Sequence, residues 1–464
     1  MSTPDAVVVG SGPNGLAAAV TLAQRGLSVT VLEARDTIGG GTRTEELTVP
    51  GVLHDVCSAI HPFGIGSPFF ASLPLADHGL VWRWPEVDAA HPLDDGTAGV
   101  LRGSVEETAA GLGVDGDRWR GVFGPLVDHY DTLAPEALGP IVHLPSHPVQ
   151  LARFGLRAAL PATVLARRFR TEQARALFGG CAAHICRPLD RPLTSAVGTM
   201  LITAGHRGGW PVAEGGSRAI TDALASLLRS LGGTIETGVR VTSLAELPPA
   251  RTRLFDTTPT AFAQIAGLKP PRWRYGYSAY KLDLAVEGGV PWTAEDARKA
   301  GTVHLGGTVA EIAAAEAEVA RGRMPERPFV LVGQQYLADP TRSAGDVHPV
   351  WAYAHVPHGY TGNATDAVLA QIERFAPGLR ERIVATHVTN PAGFAAYNAN
   401  YVGGDIAAGA TTVRQLVARP RLRDPYATAV PGAFLCSAST PPGPGVHGMC
   451  GHLAALRALE PRGA

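Results

Sequence analysis

The sequence predicts an α/β protein in two parts, one built on a buried parallel sheet and the other α+β with an antiparallel sheet. Three observations carry this reading. At 464 residues the chain exceeds the roughly 250–300 residues that one core supports, so two intertwined or sequential domains are expected. Its first strand-like stretch, residues 6–9, is a continuous apolar run, as in a parallel strand covered on both faces. Far downstream, residues 279–286 alternate in the manner of an antiparallel strand.

The N-terminal elements follow in order. Val7-Val8-Val9 leads into Gly10-Ser11-Gly12-Pro13-Asn14-Gly15, a G-x-G-x-x-G run directly behind a strand, and residues 16–25 read as a helix closed by Gly26. Gly10 allows the tight turn, Gly12 lets the backbone approach a pyrophosphate, and Gly15 lets the helix pack closely on the strand. The free N–H groups of this turn, with Pro13 and Asn14 between its glycines, form a cofactor-binding cradle for an anion. A second strand, residues 28–32, ends in Glu33-Ala34-Arg35. Glu33 stands 18 residues beyond Gly15, close to the spacing of roughly 20 expected of a ribose-binding acid. A carboxylate there suits a free 2′-hydroxyl and repels a 2′-phosphate, which favours FAD or NAD over NADP. Behind it, Gly39-Gly40-Gly41-Thr42-Arg43 combines close backbone approach with a planar guanidinium fork suited to a diphosphate.

Composition narrows the function classes. A hydrophobic content of 45% with 17% charged residues describes a globular chain. The formal net charge of −1 gives no global field for nucleic acid, so no nucleic-acid partner is expected, and any membrane contact must rest on a local patch. Residues 151–170 supply one, mixing Leu, Phe and Val with Arg153, Arg157, Arg167, Arg168 and Arg170. Interrupted at Pro161, this stretch reads either as a solvated basic face or as a peripheral membrane contact. The N-terminus lacks an export pattern and no apolar run reaches 18 residues. Five cysteines, an odd number, fit reduced thiols, and a cytoplasmic location is expected. His355 and His358 flank Pro357 without acids or thiols nearby in sequence, so no metal site is expected.

Residues 39–44 also resemble the second signature of the flavin amine oxidase and phytoene desaturase superfamily, in which a G-G-x-x-x-T/S run closes over the FAD pyrophosphate. The likeness continues. Asp55-Val56-Cys57-Ser58-Ala59-Ile60-His61-Pro62 looks like the start of the substrate region, and Ala213-Glu214-Gly215-Gly216-Ser217 with a helix over 219–231 resembles the returning helix of the FAD domain. Residues 231–241 resemble the strand whose valine, here Val241, meets the adenine through its backbone, and 254–259 the strand end beside the flavin. Residues 372–378 and 397–405 resemble two substrate-domain segments. Residues 434–448, followed by a helix over 449–456, resemble the turn laid against the flavin ring, which puts Ser437, Gly445 and Val446 on the cofactor. Many relatives outside the desaturase branch carry Gly-Asp where Ser437-Ala438 stands, so a ribityl-binding carboxylate is missing there. Over 7–456 the chain resembles the phytoene-desaturase-like FAD-dependent oxidoreductases, nearest the branch named pyridine-nucleotide-disulfide oxidoreductase domain proteins.

The resemblance implies a discontinuous Rossmann-type FAD-binding domain from residues 1–72, 210–269 and 423–464. It also implies an α+β substrate domain from 73–209, read as mostly helical, and 270–422, whose strands at 279–286, 329–336 and 349–356 form an antiparallel sheet. His447, His61 and His206 become the catalytic candidates, because their neighbourhoods face the flavin or the substrate route and imidazole suits proton transfer near neutral pH. Tyr336 and Arg207 stand behind them. Cys181 and Cys186 have the C-x4-C spacing of flavin disulfide reductases but lie far from the first dinucleotide unit, and are read as buried structural thiols. No second G-x-G-x-x-G follows a later strand, so a separate nicotinamide domain is not expected. The implied activity is dehydrogenation, saturation or isomerisation of a largely apolar, polyene or isoprenoid-like substrate at flavin N5, with oxygen, a quinone or a protein as electron acceptor. Alternatives are oxidation of a small polar or amine substrate, although no aromatic cage is legible, and an FAD-binding scaffold without turnover.

Overall fold

The computed structural model describes residues 3–460. Strand Ala6–Val9 is buried along its length and lies at the centre of a five-stranded sheet. The spatial order is Ala433–Leu435, Thr252–Phe255, Ala6–Val9, Val29–Leu32, Thr234–Glu236, and every neighbouring pair is parallel. Ala6 stands beside Val29 on one side and Thr252 on the other. Strand order therefore reverses between the first and fourth strands, and in such sheets ligands bind in the crevice outside the carboxyl ends at that point.

Helix Pro13–Ala23 begins with Pro at its first position, where the missing N–H costs nothing, and Gly10 turns the chain into it at a φ of 102°. Asn14 to Ala23 are all buried. Helices Arg218–Ser230 and Met449–Leu459 pack against it, and the small side chains of 17–19 let them come close. A Cβ on Gly451 would lie 1.8 Å from the Asn14 carbonyl oxygen, so the last helix touches the first through backbone.

A second sheet of seven strands covers the substrate side. Its order is Ile383–Thr389, Ser278–Glu287, Val347–Val356, Val330–Gly333, Ala300–Leu305, Val87–Pro92, Ala98–Leu101. All pairs are antiparallel except Ala300–Leu305 with Val87–Pro92. Two sequence expectations need correction. The stretch 73–209 is not helical throughout, since Val87–Pro92 and Ala98–Leu101 belong to this sheet. Val87–Pro92 is buried at all six positions, so the polar–apolar alternation that marks a half-exposed strand is missing. The strand expected over 329–336 stops at Gly333 and continues as a short 3-10 turn, Gln335–Leu337.

Outside the two large sheets, Arg342, which is fully buried, ties the turn Pro340–Arg342 to the segments that carry Asp55 and Ala213. Its guanidinium pairs with Asp55, donates to Asp339 Oδ2 at 3.1 Å and to the Ala213 carbonyl at 2.6 Å. Asp55 also accepts from the Ser217 N–H at 2.7 Å and the Thr44 hydroxyl at 2.8 Å. Burial alone would raise the Asp55 carboxyl, but Arg342 and these donors outweigh it and hold the group ionised. No helix among the described residues is long and apolar enough to cross a membrane.

Candidate functional site

A cavity of about 850 Å³ opens at the carboxyl ends of the parallel strands and runs beneath the seven-stranded sheet. The N-terminal glycine turn, residues 239–242, Asp256-Thr257 and the 437–447 turn all contribute to its wall. This convergence brings together nearly all of the expected cofactor residues: Gly10, Gly12, Pro13, Asn14, Glu33, Ala34, Arg35, Gly40, Gly41, Thr42, Arg43, Val241, Ser437, Gly445 and Val446 line it. Gly15 does not, and acts by packing instead. A Cβ there would meet the Gly10 carbonyl oxygen at 2.1 Å.

Two glycine turns face each other at the phosphate end. A Cβ on Gly40 would stand 2.9 Å from the Gly12 Cα, so both turns must lack side chains for the backbone amides to meet a ligand. Glu33 Oε2 accepts from the Ser11 N–H at 2.9 Å and the Ser11 hydroxyl at 2.6 Å, which ties the second strand end to the first turn. Arg43 is held by the Thr37 and Gly40 carbonyls at 2.6 and 3.0 Å and lies over the Tyr397 ring. Arg35 donates to the Ala396 and Tyr397 carbonyls and fastens the 397–401 loop over the site. The Tyr397 hydroxyl in turn donates to the Gly40 carbonyl at 2.5 Å.

Asp256 lies in the stretch 254–259 expected beside the flavin, although the sequence did not single it out as a site residue. It follows strand Thr252–Phe255, lines the cavity and accepts from the Gly15 N–H at 3.1 Å, across 241 residues of chain. Enclosure by protein is the main influence on its carboxyl and lifts its pKa to about 7; the Gly15 bond opposes this and the nearby Glu33 charge adds to it. The strand register Phe255 to Leu435 sets Asp256 beside the turn that carries Ser437-Ala438, where the expected ribityl carboxylate is missing. The Ser437 hydroxyl donates to the Thr257 carbonyl at 2.7 Å.

The three catalytic candidates part company. His61 lines the cavity, and its Nε2 lies 2.8 Å from the Ser217 hydroxyl. That hydroxyl spends its proton on the Ser58 carbonyl, so His61 carries hydrogen on Nε2 and leaves Nδ1 as a buried lone pair without a partner. Burial lowers its pKa to about 4 and it is neutral at pH 7. His447 also lines the cavity, but its Nδ1 accepts from the Met449 N–H at 3.0 Å and so caps the last helix. His206 is not among the lining residues. Trp119 donates to its Nε2 at 2.9 Å and its Nδ1 faces the Arg102 carbonyl at 3.2 Å, so both nitrogens serve packing. Tyr336 stacks on His348 and Arg207 pairs with Asp131 at the surface, both away from the cavity. The aromatic residues that sequence could not assemble are present: Trp351, Tyr353, Tyr397 and Tyr401 all line the wall.

The residues fit a flavin dinucleotide. Asn14 Oδ1, His61 Nδ1, Trp210 Nε1, Thr257 Oγ1 and Thr302 Oγ1 are buried without partners, and all five belong to cavity-lining residues. Buried polar atoms are normally satisfied, so five orphans around one cavity mark a place for a ligand.

Residues 8–72 match the family model of the NAD(P)-binding Rossmann-like domain. Across 97% of this chain and 92% of its own length, the mouse (Mus musculus) pyridine nucleotide-disulfide oxidoreductase domain-containing protein 2 is 25% identical. A hydroxyneurosporene desaturase of Cereibacter sphaeroides is 30% identical over 51% of this chain and 50% of its own. These likenesses support the FAD-dependent oxidoreductase superfamily for this chain. Its fold is also that of a solved putrescine oxidase with putrescine bound, at a TM-score of 0.59 and 18% identity, covering 98% of this chain and 97% of the other. FAD is the cofactor of this superfamily. In this chain the two glycine turns would take its pyrophosphate, Glu33 its ribose, the 239–242 backbone its adenine and the 437–447 turn its ring.

Proposed function

We propose that this oxidoreductase acts on a largely apolar, unsaturated substrate of polyene or isoprenoid type, dehydrogenating, saturating or isomerising it. The observation that carries the reading is the distribution of charge in the cavity wall. Its only acidic lining residues among the described residues are Glu33 and Asp256, both at the dinucleotide turn. The remainder is formed by side chains such as Phe63, Leu138, Phe154, Met200, Leu201 and Ile406, which exclude water and have nothing to pair with an ammonium. When bound, FAD supplies a hydride acceptor or donor at N5. The protein contributes burial and orientation of the substrate and one unpartnered proton acceptor, His61 Nδ1.

The mouth of the cavity supports a lipid source for such a substrate. Ile141 and Phe154 line the cavity, and around them Leu144 is 95% and Leu156 76% exposed, with Val149 and Val164 also at the surface. No acidic residue occurs between Glu136 and Glu172, while Arg153, Arg157, Arg167, Arg168 and Arg170 do. Exposed apolar side chains among unopposed arginines suit an anionic bilayer surface.

A second reading, amine oxidation, draws on Trp351 and Tyr353, whose rings cross at 78° with centroids 4.9 Å apart in the wall, and on the shared fold with putrescine oxidase. The test is anaerobic mixing of the purified, flavin-loaded protein with panels of polyenes and of amines. Bleaching of the flavin band by polyenes alone is expected. Bleaching by amines alone would establish the second reading, and a protein that takes up no FAD would overturn both.

A further inference from the structure

Outside the flavin cradle, the cavity wall holds a cluster that hydride chemistry does not use. Cys186, expected to be a buried structural thiol, is half-buried and lines the main cavity. Its Sγ lies 3.4 Å from Nε2 of His355, and Nδ1 of the same ring lies 2.8 Å from Oε1 of Glu316. His355 and Glu316 are buried, 2% and 0% exposed. The acid and the thiol that sequence did not find near His355 thus arrive from helix Val309–Ala320 and from the loop behind helix Glu172–Ala183.

We propose that Cys186, His355 and Glu316 form a second reactive centre, an ion-paired thiol that adds reversibly to α,β-unsaturated carbonyl compounds carried on an apolar chain. In the addition, sulfur forms a bond to the β-carbon and the alkene pair shifts onto the carbonyl as an enolate. The Nε2 proton of His355 then passes to the α-carbon. Reversal returns that proton to His355 as the carbon–sulfur bond breaks, and no oxidant or reductant is consumed. Glu316 is a positioning residue, accepting from Nδ1–H and fixing which nitrogen faces the sulfur.

Three features favour this chemistry over acyl transfer or structural packing. The Cys186 N–H is spent on the Ala183 carbonyl at 2.9 Å, so it is not available to an oxyanion as acyl transfer would need. Soft thiolates prefer soft carbon, and the cavity that reaches Cys186 is apolar. Cys57, Cys181, Cys436 and Cys450 are buried, and burial pushes all four thiols up, Cys450 to about 12.

The electrostatic surroundings agree. Burial opposes a charge on His355, but Cys186 and Glu316 outweigh it and lift the imidazole well above its ordinary value. Beyond helix Glu172–Ala183, His184 feels the charge of this ring while its Nε2 lies 2.9 Å from Nε2 of His304, and burial holds it neutral; Arg187 and Asp190 act on Tyr277 through their charge. Tyr277 donates to the Glu316 carbonyl at 2.8 Å; burial pushes both it and Tyr353 up, so they stay protonated. Asp405, across the small pocket beside Cys186, is engaged with the Gly276, Ala407 and Gly409 amides.

The test is alkylation of the flavin-loaded protein by iodoacetamide from pH 5.5 to 9, with the label located by mass spectrometry. Cys186 should react first of the five thiols, at a rate that changes less than about threefold between pH 6 and 8, where an ordinary thiol near pKa 8.5 changes by well over tenfold. His355→Gln should restore that steep rise, and Glu316→Gln should restore part of it. A long-chain 2-enal should then give a reversible adduct at Cys186 of the native protein, and the saturated aldehyde should not. A steep profile in the native protein, or labelling elsewhere first, would overturn the ion pair. A flat profile without an enal adduct would overturn the carbonyl chemistry. Flavin absorbance and melting of each variant separate loss of folding from loss of reactivity, and the native profile decides by itself if a variant fails to fold.

Discussion

At the scale of single residues, Asp256 stands where a pyrophosphate-binding protein can least accommodate negative charge. A carboxyl raised to about 7 from its ordinary value near 4 binds its proton more tightly in the folded chain than in the unfolded one. Its contribution to stability is therefore complete below pH 4, is lost as pH rises to 7, and stays lost above. Water in the open cavity screens the group, so we expect about 2 kcal/mol, half of what a shift of this size gives in full. Asp256→Asn should flatten the pH dependence of the urea midpoint between 4 and 7, and it should bind FAD more tightly at pH 8. Equal slopes in both proteins would contradict this account. Residues of this kind are hard to read from sequence. Gly15 was legible because its task is local to a turn, whereas Val241 was named only through resemblance and lies five residues beyond strand Thr234–Glu236. Asp256 and Cys186 acquire theirs from partners 241 and 169 positions away. His206 misled for the converse reason, since a histidine that only supports a tryptophan looks the same in a sequence as one that moves protons.

Among the elements, helix Pro148–Ala158 invites a direct measurement. It buries only Ala158, although it carries Val, Leu and Phe, and it sits at the rim of the cavity. The protein should sediment with vesicles containing phosphatidylglycerol and much less with phosphatidylcholine alone. Arg167→Glu combined with Arg168→Glu should weaken the association at least tenfold, since each arginine near an anionic surface contributes about 1 kcal/mol. Leu144→Asp should do the same without altering net attraction by more than one charge. Indifference to lipid charge would remove the lipid source from the proposed function. The elements themselves were read well where pattern and punctuation coincide. Strand Ala6–Val9 and helix Pro13–Ala23 are marked by the glycine turn between them, and strand Ser278–Glu287 by its alternation. Val87–Pro92 has the Asp95-Gly96 turn behind it but no alternation, because a strand buried on both faces and paired with the distant Ala300–Leu305 has no reason to alternate.

For the molecule as a whole, Arg342 tests how the segments around residues 55, 213 and 339 depend on one another. Replacing it with Met leaves the Asp55 carboxylate buried and uncompensated, a change that typically removes 3–5 kcal/mol. The loss should be visible in the urea midpoint and accompanied by weaker FAD retention, because Asp55 also holds the Ser217 amide that begins helix Arg218–Ser230. A loss below about 1 kcal/mol would mean that these segments are held by apolar contact alone. The discontinuous parallel sheet was foreseeable only through resemblance, as no periodicity tells strand Ala433–Leu435 to lie beside Thr252–Phe255.

That edge strand has a consequence for synthesis. The turn at 437–447 and its supporting strand leave a ribosome more than 400 residues after the glycine turn at residue 10, yet both turns line one cavity. A nascent chain ending before residue 433 has the phosphate turns but neither the sheet edge nor the helix that presses on Asn14. Flavin capture by the whole cradle therefore waits until residues 433–459 have been made, and until then the apolar cavity wall stands open to its surroundings.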